Sequence, residues 1–159
     1  MQKQQGFTLL EVMIAAFVLS VGMLGSTSML LRSLQQANET NKAAIVVQSA
    51  QNMAERMRGN IEALENLGSY NNLVADSTTP VDCSAYCTPA NVALYHAYIW
   101  GMELENLLPN ANPTATVTSL TPGSEDSVYN ITINWDAAVD QGDGVGVVAT
   151  ETYVMIFQP

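Results

Sequence analysis

The chain is short of positive charge: only five Lys and Arg occur in 159 residues, and none lies beyond Arg58. Against 15 Asp and Glu this leaves a formal net charge of −10, and residues 59–159 hold 12 acids with no Lys or Arg. A surface of that sign repels a phosphate backbone, so direct nucleic-acid binding is not expected. Histidine occurs once, as His96, and cysteine twice, as Cys83 and Cys87. Those three side chains fall short of the four ligands that a structural zinc site takes. Glycine-rich phosphate loops, nucleophile elbows and HExxH runs are absent. Glu103 and Glu105, two apart on a helical pattern, face different directions and make a poor acid/base pair. His96, between Tyr95 and Tyr98 on the same pattern, reads as a structural histidine in preference to a general base. No catalytic residue and no cofactor is expected.

What the chain does have is apolar: hydrophobic residues make up 48% and charged residues 13%, against about 25% charged in an average soluble protein. The excess sits at the N-terminus. After a polar leader, Met1 to Gly6, a stretch of 20 residues from Val12 to Leu31 carries no charge. At about 1.5 Å per helical residue it reaches roughly the 30 Å of a bilayer core. Two readings fit, a membrane span and a secretory signal cut near Gly25 to Ser28. Glu11 argues against the ordinary signal, because a carboxylate in a membrane segment costs several kcal/mol unless it is paired or reaches the interface. A Glu resting among headgroups is the plain alternative. If the chain were cut after Gly6, the new amine of Phe7 would stand four residues before Glu11, on the same helical face. That amine, from this chain or a neighbour, would neutralise the carboxylate.

Beyond Leu31 the pattern stays helical and turns polar, with Ala43, Val46, Ala50, Met53, Met57, Ile61 and Leu64 three or four apart. One helix is expected over 7–67, weakened at Gly59 and ended by Gly68. Residues 68–90 read as a loop-rich connector. Thr88 then caps a second helix that begins at Pro89, carries Ala93, Ala97, Trp100, Leu104 and Leu107 on one face, and stops at Pro109. Tyr129, Ile131, Ile133 and Trp135 alternate with polar residues as a strand does; 149–157 forms another strand and 114–118 a third. The Asp- and Gly-rich connection from Ala137 to Gly146 reads as a loop or long hairpin turn. Within it Asp140 and Asp143, with Asp136, are the one candidate for a calcium-like oxygen site; the spacing does not fit an EF-hand, and a plain turn is preferred. The fold class is α+β, a long N-terminal helix with its outer half packed on an antiparallel β-sheet.

The run Gly6-Phe7-Thr8-Leu9-Leu10-Glu11, followed by the apolar stretch, resembles the N-terminal signature of the type IV prepilin family. The resemblance implies a pilin-like fold and cleavage between Gly6 and Phe7 by a prepilin peptidase. It also implies N-methylation of Phe7 by the same enzyme and a role in assembly for Glu11. Leu19-Ser20-Val21-Gly22-Met23-Leu24-Gly25 and Ala54-Glu55-Arg56-Met57-Arg58-Gly59-Asn60 further resemble PilV-type minor pilins, over roughly residues 6–60. Ser28 stands where major pilins often carry a kinking Pro, and His96 where PilV-type chains commonly carry an Asp.

The implied division is a leader at 1–6, a transmembrane and assembly segment at 7–31, a soluble helical half at 32–67 and a head at 68–159. The implied course is storage in a bacterial inner membrane with the head in the periplasm, then entry into a surface pilus. There it would prime assembly with other minor and major pilins, support a tip adhesin, and serve adhesion, motility or DNA uptake. In that oxidising compartment Cys83 and Cys87 are expected to pair as a disulfide. Two other functions fit parts of the chain: a minor pseudopilin of a type II secretion system, and a secreted acidic binding domain.

Overall fold

The computed structural model describes residues 8–65, 68–121, 127–140 and 146–159. The chain divides into two compact units, residues 1–38 and 39–159. Helix α1, Leu9–Arg58, contributes to both.

In the first unit every described side chain, from Thr8 to Asn38, is exposed. The apolar ones, Leu9 to Leu34, therefore have no protein partner there. This stretch is long and apolar enough to cross a membrane. Three of its hydroxyls are satisfied within the helix: Ser20, Ser26 and Thr27 donate to the carbonyls of Ala16, Gly22 and Met23 one turn back, at 2.6, 3.0 and 2.8 Å. Internal satisfaction is what a hydrocarbon surrounding demands of a polar group.

In the second unit α1 buries Val46, Ser49, Ala50, Met53, Ala54 and Met57, the three-and-four spacing of a single helical face. The continuous helix expected over 7–67 is divided. α1 stops at Arg58, and a short α2, Ile61–Glu65, follows. Gly59 is a poor helix former, and Asn60 starts the new turn by accepting the amides of Ala63 and Leu64 at 3.2 and 3.3 Å. Gly68 takes a left-handed φ of 57°, a conformation open to glycine without steric cost.

Helix α3, Pro89–Leu107, starts where the cap predicts: the hydroxyl of Thr88 accepts the amide of Asn91 at 3.3 Å. Four antiparallel strands, β1 (Leu73–Val74), β2 (Thr114–Ser119), β3 (Tyr129–Asp140) and β4 (Gly146–Phe157), form one sheet in the order β1-β2-β3-β4. Tyr129, Ile131, Ile133 and Trp135 on β3 turn inward with Ala115 and Val117 of β2, and meet the buried faces of α1 and α3 in one core. Trp100 lies at its centre, fully buried, and donates its indole N–H to the hydroxyl of Ser49 at 2.8 Å.

Two segments differ from their expected form. Within the connector 68–90, β1 pairs with β2. Of the connection expected over 137–146, residues 137–140 and 146 are strand, with the ladder continuing through Ala137↔Ala149, Ala138↔Val148 and Val139↔Val147, and 141–145 lie outside the described residues. Ladder bonds between Ala and β-branched Val residues outweigh the turn tendency of the flanking Asp and Gly.

The connector crosses α3 closely. The amide of Asp76 donates to the carbonyl of Ala97 at 3.2 Å. A Cβ on Gly101 would stand 2.7 Å from the backbone of Asp76 and Ser77. Gly101→Ala is therefore expected to lower stability by about 1–3 kcal/mol through overpacking, despite the gain of about 1 kcal/mol in helix propensity. Denaturant melts of the full chain in detergent, beside an exposed helical Ala→Gly control, check this; an unchanged or raised midpoint contradicts it.

Candidate functional site

The N-terminal site rests on the first turn of α1. The carbonyl of Thr8 accepts the amide of Glu11 at 3.1 Å, and the threonine hydroxyl lies 3.4 Å from the same amide. Thr8 thus opens the helix and sets Glu11 in its first turn, where a carboxylate faces the positive end of the helix dipole. Leu9, Leu10 and Val12 around it are all exposed. Among the described residues the Glu11 carboxylate has no ion-pair or hydrogen-bond partner. An acid set in so apolar a strip requires a partner from elsewhere when it leaves water. Gly6 and Phe7, the expected cleavage pair, lie outside the described residues.

Cys83 and Cys87 are joined, with their Cα atoms 5.3 Å apart. The small loop is fixed from both ends. Asp82 accepts the amide of Ser84 at 2.8 Å, and Cys87 adjoins the Thr88 cap of α3. Tyr86 projects from the loop at 89% exposure. So tight a loop removes little chain entropy, and its effect is confined to stiffening the connector.

His96 is half-buried on α3, beside Tyr70 of the connector and Asn60 at the break between α1 and α2. Its Nδ1 lies 2.8 Å from the hydroxyl of Tyr70, with the rings stacked 6.1 Å apart. Asn60 donates to that hydroxyl at 3.1 Å and to the carbonyl of Pro89 at 2.8 Å. Because Asn60 supplies a donor, the Tyr70 O–H is free to donate to Nδ1, which assigns a neutral imidazole with its proton on Nε2. Burial, and then the nearby Arg56 guanidinium, push the imidazole below its ordinary value of 6.5. Burial pushes the Tyr70 phenol up to about 12. Both rings are therefore neutral at pH 7, and they join three segments through hydrogen bonds.

Several acids of the second unit are also engaged. Asp136 accepts Asn112 at 2.7 Å on one oxygen and Thr150 at 3.3 Å on the other. Asp140 has its backbone in β3 opposite Gly146, while its side chain and all of Asp143 lie outside the described residues. Among the described residues no three His, Cys, Asp or Glu gather into a metal-binding group. Glu103 pairs with Arg56, and Glu105 accepts Ser77 at 2.5 Å.

Sequence reasoning did not anticipate Ser49, Asn60, Tyr70 or Gly101. Of these only Gly101 left a signal, a glycine in mid-helix, which often marks a close approach of backbone.

Residues 1–27 match a family model described as the prokaryotic N-terminal methylation motif. No curated protein and no solved structure matches the chain. The match covers the polar residues 1–6, the first turn of α1 and most of the apolar stretch, and it supports a type IV pilin-like protein.

The His96 joint has a pH signature. Its folded-state pKa lies below the ordinary value of 6.5, so as pH falls below about 6.5 the unfolded chain takes up a proton that the fold resists. Stability is therefore full above that pH and declines below it. Asp76, held down to about 2 mainly by hydrogen bonds from Thr78 and Thr79, loses its contribution only below its ordinary 3.8, outside this window. His96→Asn is expected to flatten the stability profile between pH 6.5 and 5, measured by denaturant midpoints; an unchanged slope contradicts the assignment.

Proposed function

We propose that this chain is a minor pilin of the PilV type, cut after Gly6, methylated on Phe7 and built into a type IV pilus through its apolar helix. The observation that carries this reading is the methylation motif over residues 1–27, set on a helix whose apolar side chains up to Leu34 have no protein partner. Such a helix has two uses, storage in a lipid bilayer and packing against like helices in a fibre. In the second, the apolar surface that lipid covers is covered by neighbouring pilins, and Glu11 becomes the selective element. Left unpaired in the fibre core it costs several kcal/mol, whereas a neighbour's N-terminal amine at the right axial height removes that cost. The carboxylate thus sets the register of an otherwise featureless apolar contact.

The head carries a compact core and a neutral histidine joint, and the motif points to a structural protein and not to an enzyme. Its partners on this reading are the prepilin peptidase, which also methylates, then other minor and major pilins in a priming complex, with a tip adhesin above. The head would face the periplasm before assembly and the outside afterwards. Pseudopilins of type II secretion share the N-terminal motif; the Ala54 to Asn60 run and the Leu108-Pro109 pair beyond α3 favour the pilus.

Glu11→Ala is expected to be processed normally and to fall by about tenfold or more in sheared pili relative to membrane, since tenfold corresponds to about 1.4 kcal/mol and the unpaired acid costs several. Immunoblots of the two fractions check this; normal incorporation sinks the mechanism.

A further inference from the structure

β4 is the open edge of the sheet. It is 12 residues long and pairs with β3 in one unbroken register from Tyr129↔Phe157 to Asp140↔Gly146, so no bulge interrupts it. It contains no Pro and no Lys. Natural proteins blunt long edges with those very devices, because the unpaired N–H and C=O groups recruit another strand. Val148, Val154 and Ile156 also project outward, exposed at 69%, 50% and 71%. On the other side the end of the strand faces a groove, with Gln51, Asn52 and Ala54 of α1 as one wall and Met155, Ile156 and Phe157 as the other. An edge strand beside a helix is the geometry in which an extended peptide adds to a sheet.

Charge selects the occupant. Residues 39–159 hold 14 Asp and Glu against three Lys and Arg, 3 − 14 = −11. Those three cations, Lys42, Arg56 and Arg58, are already paired with Glu39, Glu103 and Glu55. Glu151 is the one charged residue of β4, stands near its centre, is exposed, and forms no ion pair with the described residues. Two copies joined edge to edge about a two-fold axis at Glu151 would set Glu151 against Glu151, and like charges facing across a ladder are destabilising. A partner strand bearing Lys or Arg reverses that sign.

We propose that the open edge of β4 accepts an extended segment of another protein as a fifth strand, lying in the groove beside α1 and presenting a Lys or Arg to Glu151. The inference is independent of the pilin reading, because it uses only the soluble unit. Its specificity comes from the alternation of the added strand, with apolar residues on the outer face beside the Val154 strip and a Lys or Arg on the opposite face, which carries Glu151.

The test is hydrogen exchange of the full chain in nanodiscs of zwitterionic lipid. The probe is the peptide Lys-Val-Thr-Val-Lys-Val-Thr-Val-Lys, and the control is the same peptide with Glu for each Lys. The basic peptide is expected to slow exchange in β4 by about tenfold, an added strand's hydrogen bonds being what protects edge amides; the acidic peptide should leave it unchanged. Glu151→Lys should invert the preference, and Glu151→Gln should weaken it without inverting it. No slowing by the basic peptide, or equal slowing by both, overturns the proposal. So does protection that rises with protein concentration in the absence of peptide, the mark of a second copy.

Discussion

The second unit, residues 39–159, depends on the burial of Trp100. An indole is too large to leave in water without loss, and its single N–H needs an acceptor once buried. Ser49 supplies that acceptor from α1, which fixes the rotation of the helix about its own axis. The same rotation turns Val46, Ala50, Met53 and Met57 inward beside the tryptophan. It also leaves Arg56 where it meets Glu103 of α3. The sheet then closes the other side of the core through Ile131 and Ile133.

The same helix answers to two surroundings. Up to Asn38 every described side chain is exposed and most are apolar; from Val46 the buried positions follow a single face. A segment exposed and apolar on all sides is stable only in lipid or against other helices, whereas a one-sided segment needs a folded partner. Glu11 belongs to the first surroundings and is the one acid there, a group that lipid does not suit.

Much of this was legible because the signals are local and repeated. Three-and-four spacing marked α1 and α3, alternation marked β3, and the Thr88-Pro89 pair placed the start of α3 to the residue. The first-turn carboxylate and its apolar surroundings could be read because they are contiguous. What escaped was set by distant partners. β1 is two residues long and exists only because Leu73 and Val74 face Val117 and Thr116. The Asn60–Tyr70–His96 joint gathers residues from three segments, and no periodicity encodes it. The hairpin turn was among the readings of the 137–146 connection, but the extension of β3 to Asp140 was not, because the pairing of 137–140 with β4 is set by a distant segment.

The central claim is that the apolar helix, freed of its leader, carries a methylated amine and a carboxylate that together direct assembly. Intact-mass and N-terminal analysis of the protein from its own membranes tests it most directly. The account predicts a chain that starts at Phe7 with added methyl mass on its amine. A chain that starts near Ser28, or one that retains Met1, contradicts it.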